Sequence, residues 1–175
     1  LKGVERMTLQ EILNLAYYKC DEDPADQDEQ MQSVFKAAIN QAMNLIAITL
    51  DKKVKSASLT YSSKITLPTD YYSFVDATHS TYGRMAKTDF EIIGDTFFPR
   101  VSEITTGTFT LLYIPIPTFI TTETTDIGVN DMYAVALATY ASYSYFLSQK
   151  NIEVSSMLLN EFNMILGREV KTNET

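Results

Sequence analysis

Two β-like stretches stand in the middle of this chain with helical patterns on both sides of them, and that order narrows the folds open to it. Residues 64–76, KITLPTDYYSFVD, and residues 107–117, GTFTLLYIPIP, are rich in β-branched and aromatic residues and carry prolines at their ends or interior. The segments before and after them place apolar residues at helical spacing instead. Helices, then strands, then helices is the pattern of the α+β class. We expect four main helices forming a bundle, with a small, mostly antiparallel β-sheet inserted between the two helix pairs. A length of 175 residues suits one domain. Its expected parts are an N-terminal helix pair over 1–52, a β insertion over 53–117, a C-terminal helix pair over 118–167 and a tail over 168–175.

The first helix is signalled by Thr8 and Glu11, a T-x-x-E capping box, followed by Leu9, Ile12, Leu13, Ala16 and Tyr17 on one face to about Lys19. The acidic, proline-containing stretch 21–26 breaks it. Asp26 with Glu29 then reads as the next N-terminal cap, and Met31, Val34, Phe35, Ala38, Ala42, Leu45 and Ile46 carry a helix to near Leu50. From Lys53 the pattern alternates, predicting two short strands that meet at Ser62-Ser63, the second ended by Pro68. Residues 71–76 read as a helical turn, and strand signals recur around Gly83 and Gly94. The strand 108–114 is the clearest, closed by Pro115 and Pro117.

A Thr-rich linker, 118–126, leads to Asn130, the expected cap of a third helix. Met132, Val135, Ala136, Thr139, Tyr140, Tyr143, Phe146 and Leu147 share one side of it, and Ala134, Leu137, Ala138 and Ala141 the other. A helix apolar nearly all round is packed between other elements or between subunits, and this one is the expected spine. The last helix, from Ile152 to about Leu166, is expected to bury Val154, Met157, Leu158, Phe162 and Ile165 and to end at Gly167.

Chemistry is harder to find. Fourteen basic against 22 acidic side chains give a net charge of −8, which opposes tight binding to a phosphate backbone. Cys20 is alone, so no intramolecular disulfide forms, and an intracellular setting is the expectation. No signal-peptide pattern opens the chain, and the apolar run 132–147 is short and hydroxyl-interrupted, a buried helix rather than a membrane span. The single histidine, His79, sits in a polar, turn-like stretch with no nucleophile beside it, and Cys20 adjoins acids that raise a thiol pKa, so both read as structural. The acids between Asp21 and Glu29 lack the central glycine and distal glutamate of a calcium loop. Neither G-x-x-x-x-G-K nor G-x-G-x-x-G occurs. No catalytic, cofactor-binding or metal-ligating residue is expected, and no cofactor. The eleven tyrosines and nine phenylalanines, with no tryptophan, are divided between two readings: an internal core, or ring area offered to a partner by Tyr71, Tyr72, Tyr82, Tyr113 and Tyr133.

Taken in order, the helix pair, KITLPTDYYSFVD, the glycine-marked strands, GTFTLLYIPIP, the Thr-rich link and the alanine-rich helices resemble a head-to-tail connector protein of tailed bacteriophages, also called an adaptor or head-completion protein. Leu67-Pro68 with Asp70-Tyr71, then Tyr113 to Pro117, then the helix opening after Gly128 carry the resemblance, over residues 8–167. It implies a structural protein and no enzyme: a closed homo-oligomeric ring, commonly twelve-fold, beneath the portal protein, docking tail or neck proteins. Double-stranded DNA would pass through without specific binding, and the acidic wall would lower its friction. The implied place is the virion, at the capsid vertex and neck, after assembly in the bacterial host cytoplasm, with no membrane involved.

Under that resemblance, interface roles are expected for Tyr71, Tyr72, Tyr113, Ile114, Tyr133, Arg168 and Val170, with the strand 108–114 presenting an edge or face for a neighbouring subunit to complete. The polar tail 168–175 is expected to order against a partner such as the portal. The acidic loop 21–28 departs from the family and could be lumenal, outward or a docking element. The alternatives are another neck or tail ring, a tail-completion component, or a small soluble binding module.

Overall fold

The computed structural model describes residues 7–25, 28–62, 64–127 and 129–172, with side chains as far as Gly167. The chain is α+β, with four helices and antiparallel sheets, and divides into two compact units: Leu1–Asp51 with Pro117–Thr175, which is helical, and Lys52–Ile116, which holds the strands. No helix among the described residues is long and apolar enough to cross a membrane.

In the helical unit, α1 (Leu9–Lys19) starts at the expected capping box: Thr8 Oγ1 accepts from the Glu11 N–H at 3.4 Å and Glu11 Oε2 accepts from the Thr8 N–H at 2.7 Å. The next orphan donors of the first turn find carbonyls in the linker, Leu9 N–H to Thr125 at 3.0 Å and Gln10 N–H to Glu123 at 2.9 Å. Helix α2 (Glu29–Thr49) is capped by Asp28 through the Gln30 N–H at 3.0 Å. The expected cap, Asp26, lies outside the described residues. Its buried face holds Met31, Phe35, Ala38, Ile39, Ala42, Met43 and Ile46, whereas Leu45, expected in that stripe, is exposed.

Asn130 caps a 3-10 turn, Asp131–Tyr133, which leads into α3 (Ala134–Ser148). The buried residues of α3 are Ala134, Ala136, Leu137, Ala138, Thr139, Ala141 and Ser142, while Met132, Val135 and Leu147 face solvent. The small residues therefore form the packed surface, because they let three neighbours approach: α3 packs against α1, α2 and α4 (Ile152–Thr172). Ser142 Oγ donates to the Ala16 carbonyl at 3.1 Å, and the rings of Tyr145 and Tyr140 meet Phe35 and Phe162 at 5.9 and 5.0 Å. Helix α4 corrects two expectations. It runs through Gly167 to Thr172, so that glycine does not terminate it and the first part of the expected tail is helical. Met157, expected inside, is 66% exposed, because Phe162 and the buried Ser155 turn the packed face elsewhere.

In the β unit, one sheet has the order β1 (Lys55–Tyr61), β7 (Gly107–Pro115), β3 (Tyr71–His79), β4 (Gly83–Met85), and a second the order β2 (Ile65–Thr66), β6 (Thr96–Pro99), β5 (Phe90–Ile93). All neighbours are antiparallel. Three expectations change here. Strands β1 and β2 do not pair at Ser62-Ser63 but belong to different sheets. Residues 71–76 are strand, not helical turn, because the tertiary structure supplies β7 as a ladder partner, with Phe74 opposite Tyr113. Strand β7 has no free edge, since β1 and β3 flank it. Its inward side chains Phe109, Leu111 and Tyr113 join Ile65, Phe90 and Phe97 from the second sheet in one core, with Phe97 stacked on Phe90 at 4.7 Å and edge-on to Phe109 at 5.1 Å.

Candidate functional site

The surfaces of the helical unit depend on how the linker is held. Asn40 on α2 is 1% exposed, and its side-chain amide pairs with the backbone of Ile120: Nδ2 donates to the Ile120 carbonyl at 2.8 Å while the Ile120 N–H donates to Oδ1 at 2.7 Å. The pair does what a strand neighbour does, and fixes the linker against α2. Farther along, Glu123 accepts from Lys36 Nζ at 2.8 Å and from Gln32 Nε2 at 3.1 Å, and the Ile127 N–H donates to the Met7 carbonyl at 3.0 Å. A groove of about 360 Å³ runs between α2 and this linker, walled by Ser33, Ala37, Phe119 and Thr121, with Phe119 60% exposed. Away from α3, α4 carries a second apolar stripe: Val154, Met157, Leu158 and Met164 border a depression of about 470 Å³. Met157 and Met164 are 66% and 56% exposed and Ile152 60%.

In the β unit, Asp70 ties together the strands near both ends. Lys55 Nζ donates to Oδ2 at 2.6 Å, the Tyr113 hydroxyl to Oδ1 at 2.8 Å, and the Ile116 N–H to the Asp70 carbonyl at 2.6 Å. The Lys55 hydrogen bond holds the Asp70 carboxyl below its ordinary range, with Tyr113 adding to it. Burial, reinforced by the hydrogen bond to Asp70, pushes the Tyr113 phenol up to about 12. His79, expected in a turn, ends β3 and is 2% exposed. Its Nδ1 accepts from the N–H groups of Thr81 and Tyr82 at 3.1 and 3.3 Å, which leaves Nε2 to carry the proton toward the Thr106 carbonyl at 3.2 Å. The ring thus organises the β3–β4 turn and packs on Phe109 at 4.8 Å.

The residues proposed for an interface fall in different places. Tyr113 and Tyr133 are 4% and 2% exposed, so both rings lie inside their own units rather than at solvent-facing ends. Tyr71 is half-buried against Tyr113 at 5.9 Å, and Ile114 is half-buried. Tyr72 is 48% exposed, at a register irregularity where β3 gains a residue against β7; a second irregularity exposes Val75. Tyr82 is also exposed, its hydroxyl donating to the Glu103 carbonyl at 3.2 Å. The side chains of Arg168 and Val170 lie outside the described residues, as does Gly128. Sequence reasoning passed over Phe119 and Met164; the signal for α4 was present, since Met157 and Met164 lie on a different face from Phe162.

Little in the unit chemistry is reactive. Burial, above all, pushes the Cys20 thiol up to about 11, which keeps it protonated near neutrality. Among the described residues no three His, Cys, Asp or Glu side chains converge as metal ligands would. Charge is divided unevenly: Lys52–Ile116 holds seven basic and six acidic residues, and the rest of the chain seven and 16, so the helical unit carries −9 and the β unit +1.

A family model described as SU10 adaptor protein matches residues 7–175. No match is found among curated proteins.

Proposed function

We propose a virion role for this chain, which belongs to the SU10 adaptor protein family, a family of phage head-to-tail adaptors. It is a structural, non-enzymatic component of the neck. Copies assemble in the host cytoplasm into a closed ring, of twelve subunits in our reading, which seats against the portal protein, continues its DNA channel and presents a docking surface to tail or neck proteins. Each subunit is one connector-like domain, a helical bundle with the strands inserted between its helix pairs. The observation that carries this reading is the family match over residues 7–175.

Physical features support it. A ring built head to tail needs a stiff wedge with two different faces, and the close packing of the small residues of α3 against three helices makes the helical unit stiff. The −9 charge of that unit suits a wall past which a polyanion slides without adhering. Tyr71, Tyr72 and Ile114 are the proposed interface residues that retain accessible area. The test is to image the purified chain by negative-stain microscopy and to assay particles lacking it. Rings, and capsids that retain portals but fail to join tails, are the expected results; a protein monomeric at every concentration, or tailed particles formed without it, would refute the reading.

A further inference from the structure

We infer that the contact between neighbouring copies joins the outer, methionine-bearing face of α4 in one copy to the groove between α2 and the linker in the next. The inference rests on the ring reading above and names the surfaces that close it. Three observations carry it.

First, the two surfaces point to different sides. Tyr140 of α3 meets Phe162 of α4, and Tyr145 of α3 meets Phe35 of α2. Five residues along a helix turn the direction by roughly 140°, so α4 and α2 stand on nearly opposite flanks of α3. A head-to-tail contact requires such a pair of unlike faces, whereas a two-fold contact would pair one face with itself.

Second, each surface carries exposed apolar side chains, on α4 beside Asn160 and Glu161 and in the groove beside Glu29, Gln32 and Lys36. Met157 and Met164 are 66% and 56% exposed on one side, and Phe119 is 60% exposed beside the groove on the other. Flexible thioether side chains fill irregular grooves and contact aromatic rings favourably, so Met157 and Met164 suit a recess bordered by Phe119.

Third, the areas suit a ring better than a dimer. At roughly 100 Å² for each side chain about half exposed, Met157 and Met164 offer about 200 Å², so joining two such patches removes on the order of 400 Å² from these side chains, below the usual range for stable pairs. One contact is therefore weak. A closed ring adds a final contact without the loss of freedom of another free subunit, and so assembles cooperatively while dimers stay scarce.

The test uses the purified chain with Cys20→Ala as background, carrying Met164→Cys with Ser33→Cys. Mild oxidation is expected to give a ladder of covalent multimers on denaturing gels, with each single-cysteine variant remaining monomeric. In the otherwise native chain, Met157→Glu with Met164→Glu is expected to lower the ring fraction at least tenfold while leaving the monomer's thermal unfolding unchanged, because both side chains already face water. Rings that persist in the double glutamate variant, or rings that form without a ladder, would overturn the inference and leave the ring reading standing. Dimers from Met164→Cys alone would overturn it as well, by showing a face that pairs with itself. Failure of the unsubstituted chain to form rings at all would remove both.

Discussion

Asn40 offers the sharpest test of what holds the linker in place. Replacing it with alanine removes both hydrogen bonds to Ile120, at 2.7 and 2.8 Å, and leaves the Ile120 N–H and carbonyl facing a buried space. Each buried orphan costs about 1–3 kcal/mol, so Asn40→Ala should lose about 4 kcal/mol. For a chain of this length that lowers Tm by on the order of 10 °C. Asn40→Asp separates the hydrogen bonds from simple volume. Its carboxyl can still accept from the Ile120 N–H, but once ionised it faces the Ile120 and Lys36 carbonyls, so burial raises its folded pKa. A raised folded pKa means that stability is present below the unfolded value and is lost as pH climbs through the folded one. The deficit of Asn40→Asp relative to the parent should therefore be small at about pH 4 and grow by about 1.4 kcal/mol per pH unit until the folded pKa is passed. Guanidinium unfolding followed by helical circular dichroism, with parent and variant compared at each pH, reads both effects. An alanine deficit under about 1 kcal/mol, or an aspartate deficit that does not change with pH, would refute the pairing of Asn40 with the linker.

Further outcomes follow from the β unit and the first helix. Asp70→Ala should cost about 2 kcal/mol, chiefly by stranding the buried Tyr113 hydroxyl, and much less in a Tyr113→Phe background; additive losses in urea unfolding would exclude the coupling. The stabilisation from Asp70 should be complete above its ordinary pKa of 3.8 and vanish as pH falls through its lowered folded value, while that from Tyr113 should be complete below 10 and vanish as pH rises toward about 12. Gly107→Ala should destabilise the β unit by about 3 kcal/mol, because φ is +138° and the new Cβ would stand 2.2 Å from His79 Nε2; an unchanged melt would contradict this packing. Cys20, with its thiol at about 11, should react with a disulfide reagent at pH 8 far more slowly than a free thiol, and match it only after unfolding.

Local signals located the helices well. The T-x-x-E box and the apolar spacing after it placed α1 at Leu9–Lys19, and Asn130 was identified as the cap before α3. The failures have physical causes. Residues 71–76 resembled a turn because Pro68, Thr69 and Asp70 turn the chain just before them, yet pairing with β7 overrides a local preference that is weak in any strand. For the clearest strand pattern, β7, an edge or a face open to a neighbour is expected; its apolar content marks the middle of a sheet, where strands on both sides close the edges and a second sheet covers one face, with Thr110 exposed on the other. On α3 both sides are apolar in sequence, so the pattern does not say which one packs; alanines and hydroxyls are what close helix packing selects. The partner surfaces were the least legible part. Tyrosines drew attention as amphipathic rings, and Tyr113 and Tyr133 lie inside; the exposed Met157 had been assigned to the core because periodicity cannot tell one apolar stripe from another.

The amino-acid order by itself determined the class, the four helices in their order, the starts of α1 and α4 and the resemblance to phage adaptors, because capping, periodicity and proline placement act over a few residues and need no distant partner. The tertiary structure alone decided which strands pair, that Asn40 carries the linker, that His79 organises a turn, and which apolar stripes remain in water. Those outcomes depend on contacts between residues far apart in the chain, as in Asn40 to Ile120, 80 positions on, and no local pattern encodes which of several apolar surfaces will find a neighbour.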